Sequence, residues 1–146
     1  MTSSDISLIQ KSWKKLRLLN PSTLGDLFYS RLFAQQPKLR KLFPKNMERQ
    51  HTQWVEGIAY IVAILEDPVH MQQVLQELGL RHKNYGVKAA HYVMVKDALF
   101  WTLEQALEKE WTTATQLAWI NIYQLIMSCM LREVASDASI GYSAHG

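Results

Sequence analysis

With 146 residues, 48% of them apolar and 20% charged, the chain has enough material for one domain with a sizeable core and too little for two. A net charge of +3 is too small and dispersed to mark a nucleic-acid footprint, and no apolar run approaches the ~20 residues that span a bilayer. The single cysteine, Cys129, excludes an internal disulfide and any attachment chemistry that needs two thiols.

The first residues, Met-Thr-Ser-Ser-Asp, lack the basic start and apolar core of a secretory signal, so a cytoplasmic location is expected. Ser3 or Ser4 is expected to cap a first helix whose apolar positions Ile6, Ile9, Trp13 and Leu16 keep helical spacing until Asn20-Pro21. Lys11, Lys14, Lys15 and Arg17 form a solvated face on it, because no aromatic or glycine-rich element is interleaved with them. Pro21 suits the opening turn of a second helix with Leu24, Leu27, Phe28 and Leu32 on one side, ending near Gln35-Gln36-Pro37. A basic turn over 38–42 leads to Phe43-Pro44, where proline lacks the amide hydrogen a helix needs. Met47, Trp54, Val55, Ile58, Ile61, Val62 and Leu65 then give a long helix a wide apolar stripe, stopped by Asp67-Pro68. A fourth helix closes at Gly86, the residue that most cheaply turns left-handed at a helix end. Two long helices follow, one over His91 to Leu107 with Tyr92, Val95, Leu99 and Leu103 inward. The other, capped by Thr112 or Thr113, carries Ile120, Tyr123, Met127, Met130 and Val134. The expected domain spans 1–135, with 136–146 a frayed tail. No strand, internal repeat or low-complexity segment is found. Cys129, among apolar neighbours, reads as a small buried hydrophobe.

His82 carries the most chemical information. Leu75, Leu78 and His82 follow i, i+3, i+7 spacing, so the imidazole leaves the helix on the same stripe as two leucines that would wall an apolar pocket. That placement suits an iron ligand. A lone histidine on such a face is more often a packed core residue, and the rest of the chain decides between the two.

The segments Phe28-Tyr-Ser-Arg-Leu-Phe33, Pro37, Leu42-Phe43, Leu78-Gly-Leu-Arg-His82, Tyr85-Gly-Val87, Ala90-His-Tyr92 and Ala118-Trp119 through Tyr123 follow one another in an order and spacing that resembles the globins over nearly the whole chain. The likeness is greatest to bacterial single-domain globins and the heme domains of flavohemoglobins, and the segment around His82 is also similar to neuroglobins. The resemblance implies an all-α, three-on-three helical sandwich around heme b, with His82 as the proximal iron ligand and Phe43 stacked on the porphyrin. Trp54, Leu78, Val87, Tyr92 and Val95 are further expected cofactor contacts. Arg81, with Lys83, would pair with the propionates. A histidine in the last turn of a helix can give its other ring hydrogen to a nearby carbonyl, which fixes ring orientation and tautomer.

The same resemblance places Tyr29 and Gln50 on the opposite, distal side as hydrogen-bond donors to a diatomic ligand. Displacing the long helix by one residue would instead turn His51 toward the iron and set Val55 above it, so both registers remain open. With Gln50 facing in, Trp54 falls one turn further along, where relatives carry a smaller aliphatic residue. Its indole would fill distal space and narrow ligand entry, or supply a donor of its own.

Other departures bear on chemistry. Tyr92 matches a tyrosine that, in flavohemoglobins, supports the proximal imidazole together with a glutamate; here Val134 takes the glutamate position, with Glu133 adjacent. Val93 and Lys96 replace the family's proline and glycine around Val95. The expected function is reversible oxygen binding, extending to oxidation of nitric oxide to nitrate. No flavin or nicotinamide domain is expected after the last helix, so turnover would need an external reductase. The alternative is a non-catalytic gas or redox sensor with an internal sixth ligand such as His51. His70, His91 and His145 read as surface or tail residues. Neither a nucleic acid nor a membrane is an expected partner.

Overall fold

The computed structural model describes the backbone of residues 1–144 and the side chains of residues 1–131. Six α-helices carry the fold: α1 (Ser3–Leu16), α2 (Pro21–Gln35), α3 (Glu48–Ala63), α4 (Pro68–Asn84), α5 (Ala89–Leu107) and α6 (Thr113–Ala144). Short 3-10 helices, Pro37–Leu42 and Glu108–Glu110, lie between α2 and α3 and between α5 and α6. No strand forms among the described residues.

Local chemistry sets the helix ends. Thr2, one residue before the expected serines, caps α1: its hydroxyl accepts from the Asp5 amide at 3.1 Å, and the Asp5 carboxylate accepts from the Thr2 amide at 3.1 Å. Only Thr2 has an acidic residue three positions on to complete this reciprocal box. Asn20 accepts from the Ser22 amide and Asp67 from the His70 amide, each followed by proline at the first helical position, where a missing N–H costs nothing. Thr112 accepts from the Thr115 amide at the start of α6. The backbone of α6 remains helical to Ala144, past the boundary expected at 135. The side chains of Glu133, Val134 and the 136–146 segment lie outside the described residues.

The layers meet where side chains are smallest. Helix α2 crosses α3 at Gly25, where an added Cβ would lie 2.6 Å from the Cβ of His51 and 2.7 Å from its Cα. Helix α4 crosses α6 at Gly79, where an added Cβ would lie 2.7 Å from the Cα of Met130. Helix α1 docks on α6 through Trp13 and Trp119, whose ring centres are 6.4 Å apart; the Trp119 indole donates to Ser12 Oγ at 2.9 Å, and that hydroxyl donates to the Ile9 carbonyl. Between the layers Ile9, Leu16, Leu24, Leu32, Leu75, Leu103, Leu107 and Ile122 are fully buried. Helices α1, α3 and α4 stack against α2, α5 and α6 as a three-on-three sandwich. Within the first layer, α3 and α4 do not pack along one another. Phe43, Trp54, Leu78, Val87 and Val95 are apolar side chains only half-buried against the core. Among the described residues no helix is long and apolar enough to cross a membrane.

Because the obstruction at Gly79 is backbone, it cannot step aside. Gly79→Ala is expected to lower stability by about 1–3 kcal/mol, the usual range for overpacking. A thermal melt followed by circular dichroism should show Tm falling by several degrees, at roughly 2–4 °C per kcal/mol for a chain of this size. An unchanged melt would mean that the α4–α6 crossing is looser than described.

Candidate functional site

His82 sits in the last turn of α4, and the end of that helix is closed around it. Tyr85 caps the helix and Gly86 takes φ +89°, a left-handed conformation that costs a glycine little. The Gly86 amide then donates to the Lys83 carbonyl at 3.0 Å and the Val87 amide to the His82 carbonyl at 2.9 Å, the paired bonds of a Schellman ending. The ring is fixed as well: His82 Nδ1 lies 2.7 Å from the Leu78 carbonyl oxygen. A carbonyl only accepts, so Nδ1 carries the hydrogen, and the Nε2 of the neutral ring keeps its lone pair.

The surroundings of this imidazole are mostly apolar. Leu75, two turns earlier, is fully buried and Leu78 half-buried. Tyr92 stands edge-on to the ring at 6.4 Å, with no hydrogen bond between the two side chains. The polar support expected from its phenol is absent because Nδ1 is already committed to Leu78. Tyr92 contributes its backbone instead: its carbonyl accepts from the Tyr123 hydroxyl at 2.5 Å, tying α5 to α6 beside His82. Burial pushes both phenols above their ordinary pKa. Arg81 faces solvent and pairs with Glu77 at 2.5 Å, one turn back on the same helix. Val87 and Val95 are half-buried against the core.

On α2, Tyr29 is buried among aromatic rings. Phe43 lies 5.3 Å away and edge-on, Phe28 4.8 Å and Trp54 6.3 Å. Gln50 Nε2 donates to the Tyr29 hydroxyl at 3.1 Å, which leaves the phenolic hydrogen free to be donated onward. Burial pushes the Tyr29 pKa up to about 12, opposed in part by the Gln50 bond. His51 lies face to face with the Tyr29 ring at 5.6 Å. Its Cβ abuts Gly25, and it lines an outward recess of about 400 Å³ with Ser22, Thr23, Asp26, Met47 and Glu48. Trp54 stacks on Phe28 with ring centres 4.2 Å apart and planes 11° from parallel. Val55 is turned fully into the core.

The fold therefore assembles two groups: Leu78, His82 and Tyr92 in one, Tyr29, Phe43, Gln50 and Trp54 in the other. Phe28 and Tyr123 complete these groups, yet sequence reasoning marked them only as inward-facing. Their roles come from contacts between helices, and adjacency of Phe28 to Tyr29 was the one local signal. No group of three or more His, Cys, Asp or Glu side chains that could hold a metal ion occurs among the described residues. One imidazole on an apolar wall suits a metal carried inside an apolar prosthetic group, which brings its remaining ligands with it.

The model of the Globin family matches residues 26–130. The chain belongs to the globin family. This globin is 28% identical to the neuroglobin of Tetraodon nigroviridis over 94% of each chain, and 27% identical to neuroglobin-2 of Oncorhynchus mykiss with the same coverage. Its fold is similar to that of a solved hexacoordinated heme protein from an anhydrobiotic tardigrade, with a TM-score of 0.81 at 16% identity, covering 91% of this chain and 94% of that one. These sequence relatives are vertebrate neuroglobins, in accord with the neuroglobin-like segment around His82.

The raised pKa of Tyr29 gives a signed pH effect. An unfolded chain ionises this phenol near its ordinary value of 10, the folded globin only near about 12, so the unfolded state sheds its proton first as pH rises. The contribution of Tyr29 is fully present below pH 10 and is lost between about 10 and 12. In urea titrations across this range, Tyr29→Phe should lose stability less steeply than the wild type. Parallel curves would contradict the assignment.

Proposed function

We propose that this globin holds heme b in the α3–α4 cleft and binds oxygen and other diatomic gases reversibly, with His82 as the iron ligand and Tyr29 and Gln50 as donors on the opposite side. The observation that carries this reading is the 2.7 Å contact from His82 Nδ1 to the Leu78 carbonyl, because it leaves Nε2 as the free ligand atom and fixes its direction. Bound heme would supply an iron with an open coordination position and one-electron chemistry. The residues supply the rest. His82 presents a neutral nitrogen held from both its backbone and its ring. Phe43, Leu78, Val87 and Val95 offer apolar surface to a flat macrocycle, and Arg81, at the exposed rim, is a cation for its carboxylates. Tyr29 stays protonated at neutral pH and, with its oxygen engaged by Gln50, has its hydrogen available for a gas molecule that accepts charge.

The pairing of Tyr29 with Gln50 supports the bacterial-like part of the reading. In that part, the globin oxidises nitric oxide to nitrate using electrons from an external reductase, in the cytoplasm. A second reading, a gas or redox sensor with an internal sixth ligand, is favoured by one observation: the His51 ring lies against Tyr29, a single residue from Gln50. The solved tardigrade protein that shares this fold is itself described as hexacoordinated.

Absorption spectra separate the two. Heme added to the purified chain should give a Soret band and a five-coordinate ferrous form that takes up oxygen and carbon monoxide. A six-coordinate ferrous spectrum abolished by His51→Leu would favour the sensor, and absence of a Soret band would defeat both. Tyr29→Phe is expected to speed oxygen dissociation, since a charge-assisted bond contributes on the order of 1.5–3 kcal/mol. That corresponds to roughly ten- to a hundredfold, read by stopped-flow. An unchanged rate would remove the phenol from the mechanism.

A further inference from the structure

We infer that Arg40 is a positioning residue that clamps the turn carrying Phe43 and so sets how firmly the prosthetic group is held, a role that rests on the heme reading above and extends it. The chain between the 3-10 helix Pro37–Leu42 and α3 must order itself without helical bonds. Phe43 is extended, at φ −119° and ψ 157°, and Pro44 has no amide hydrogen. Among the described residues no backbone amide reaches the carbonyls of Phe43, Pro44 or Lys45. Arg40 supplies the missing donors. Its Nη1 donates to the Pro44 carbonyl at 2.8 Å and, at a longer 3.4 Å, to that of Phe43, while Nη2 donates to the Lys45 carbonyl at 2.8 Å. One planar fork gathers three successive peptide units, which a lysine ammonium has no geometry to do.

The clamp extends to the ring. The Phe43 amide donates back to the Arg40 carbonyl at 3.2 Å, so residue 40 holds the turn through side chain and backbone together. Its guanidinium lies 5.4 Å from the centre of the Phe33 ring, within cation–π range. Phe33 in turn stands edge-on to Phe43 at 5.4 Å, and Tyr29 does so at 5.3 Å from α2. Phe43 is thus fixed at its backbone by Arg40 and at its ring by two aromatic neighbours, yet it stays half-buried. Its uncovered surface is ready for a flat apolar partner. A ring already ordered loses little freedom when that partner arrives, so its burial goes into retention and not into arranging the turn.

Hemin transfer from the reconstituted globin to excess heme-free myoglobin, followed in the Soret band, reads retention. Arg40→Met should speed it about tenfold, the scale of one hydrogen bond from a charged donor. Arg40→Lys, which restores the cation without the fork, should fall between and serves where the methionine variant folds poorly. In a Phe43→Leu background the Arg40→Met change should add less than about twofold, because the ring through which it acts is gone. An equal acceleration in both backgrounds, or none in either, would overturn the role. The turn itself is read without heme, by a lysine-specific endoproteinase acting on the full chain. Cleavage after Lys45, whose carbonyl Nη2 holds, should be about tenfold faster in Arg40→Met. Unchanged cleavage would overturn the clamp even where hemin is retained. A wild type without a Soret band would overturn the heme reading and the retention role with it, while faster cleavage in the variant would still identify Arg40 as the clamp.

Discussion

The bond from His82 Nδ1 to the Leu78 carbonyl is the constraint on which the site depends. It exists because the two residues stand one turn apart on α4 and side chains lean back toward the helix start, which lays the His82 ring over the Leu78 carbonyl. The end of that helix is closed by Gly86, whose left-handed turn sends the Val87 amide back to the carbonyl of His82 itself. Ring and backbone of one residue are thus held by two separate local devices. Gly79 then sets α4 close against α6, so the direction in which Nε2 faces is inherited from the sandwich.

The opposite wall depends on a different contact. Gly25 lets α2 and α3 approach until the His51 backbone touches it, and that crossing sets the rotation of α3. With His51 pressed to α2, Gln50 falls against the Tyr29 hydroxyl, Trp54 against Phe28, and Val55 into the core. A polar pair and a stacked aromatic pair therefore arise from one packing decision.

Much of this was legible in the sequence, for identifiable reasons. The helix start at Pro21 and the stop at Gly86 follow from local backbone chemistry, which residues announce by type. His82 could be singled out because its spacing to Leu75 and Leu78 is a property of one helix. The cap of α1 moved from the serines to Thr2 because two side-chain options one residue apart differ only in the position of Asp5. The rotation of α3 was less accessible. Gln50 and His51 differ by about 100° on the helix surface, and periodicity tolerates either when the apolar stripe is wide. The steric contact at Gly25 separates them, and it joins residues on different helices. The phenol of Tyr92 illustrates the same limit, since its expected partner Nδ1 was taken by a carbonyl that every helix contains. Kinship within the family was less legible, because short motifs shared across a family do not rank its branches; relatives matched over 94% of the chain include neuroglobins.

The most direct test is the ferrous spectrum of His82→Gly reconstituted with heme, recorded with and without free imidazole. The account predicts that the variant loses the five-coordinate histidine signature and that millimolar imidazole, entering the space vacated by the side chain, restores it. A variant whose iron keeps the wild-type axial coordination without imidazole would show that residue 82 is not the ligand.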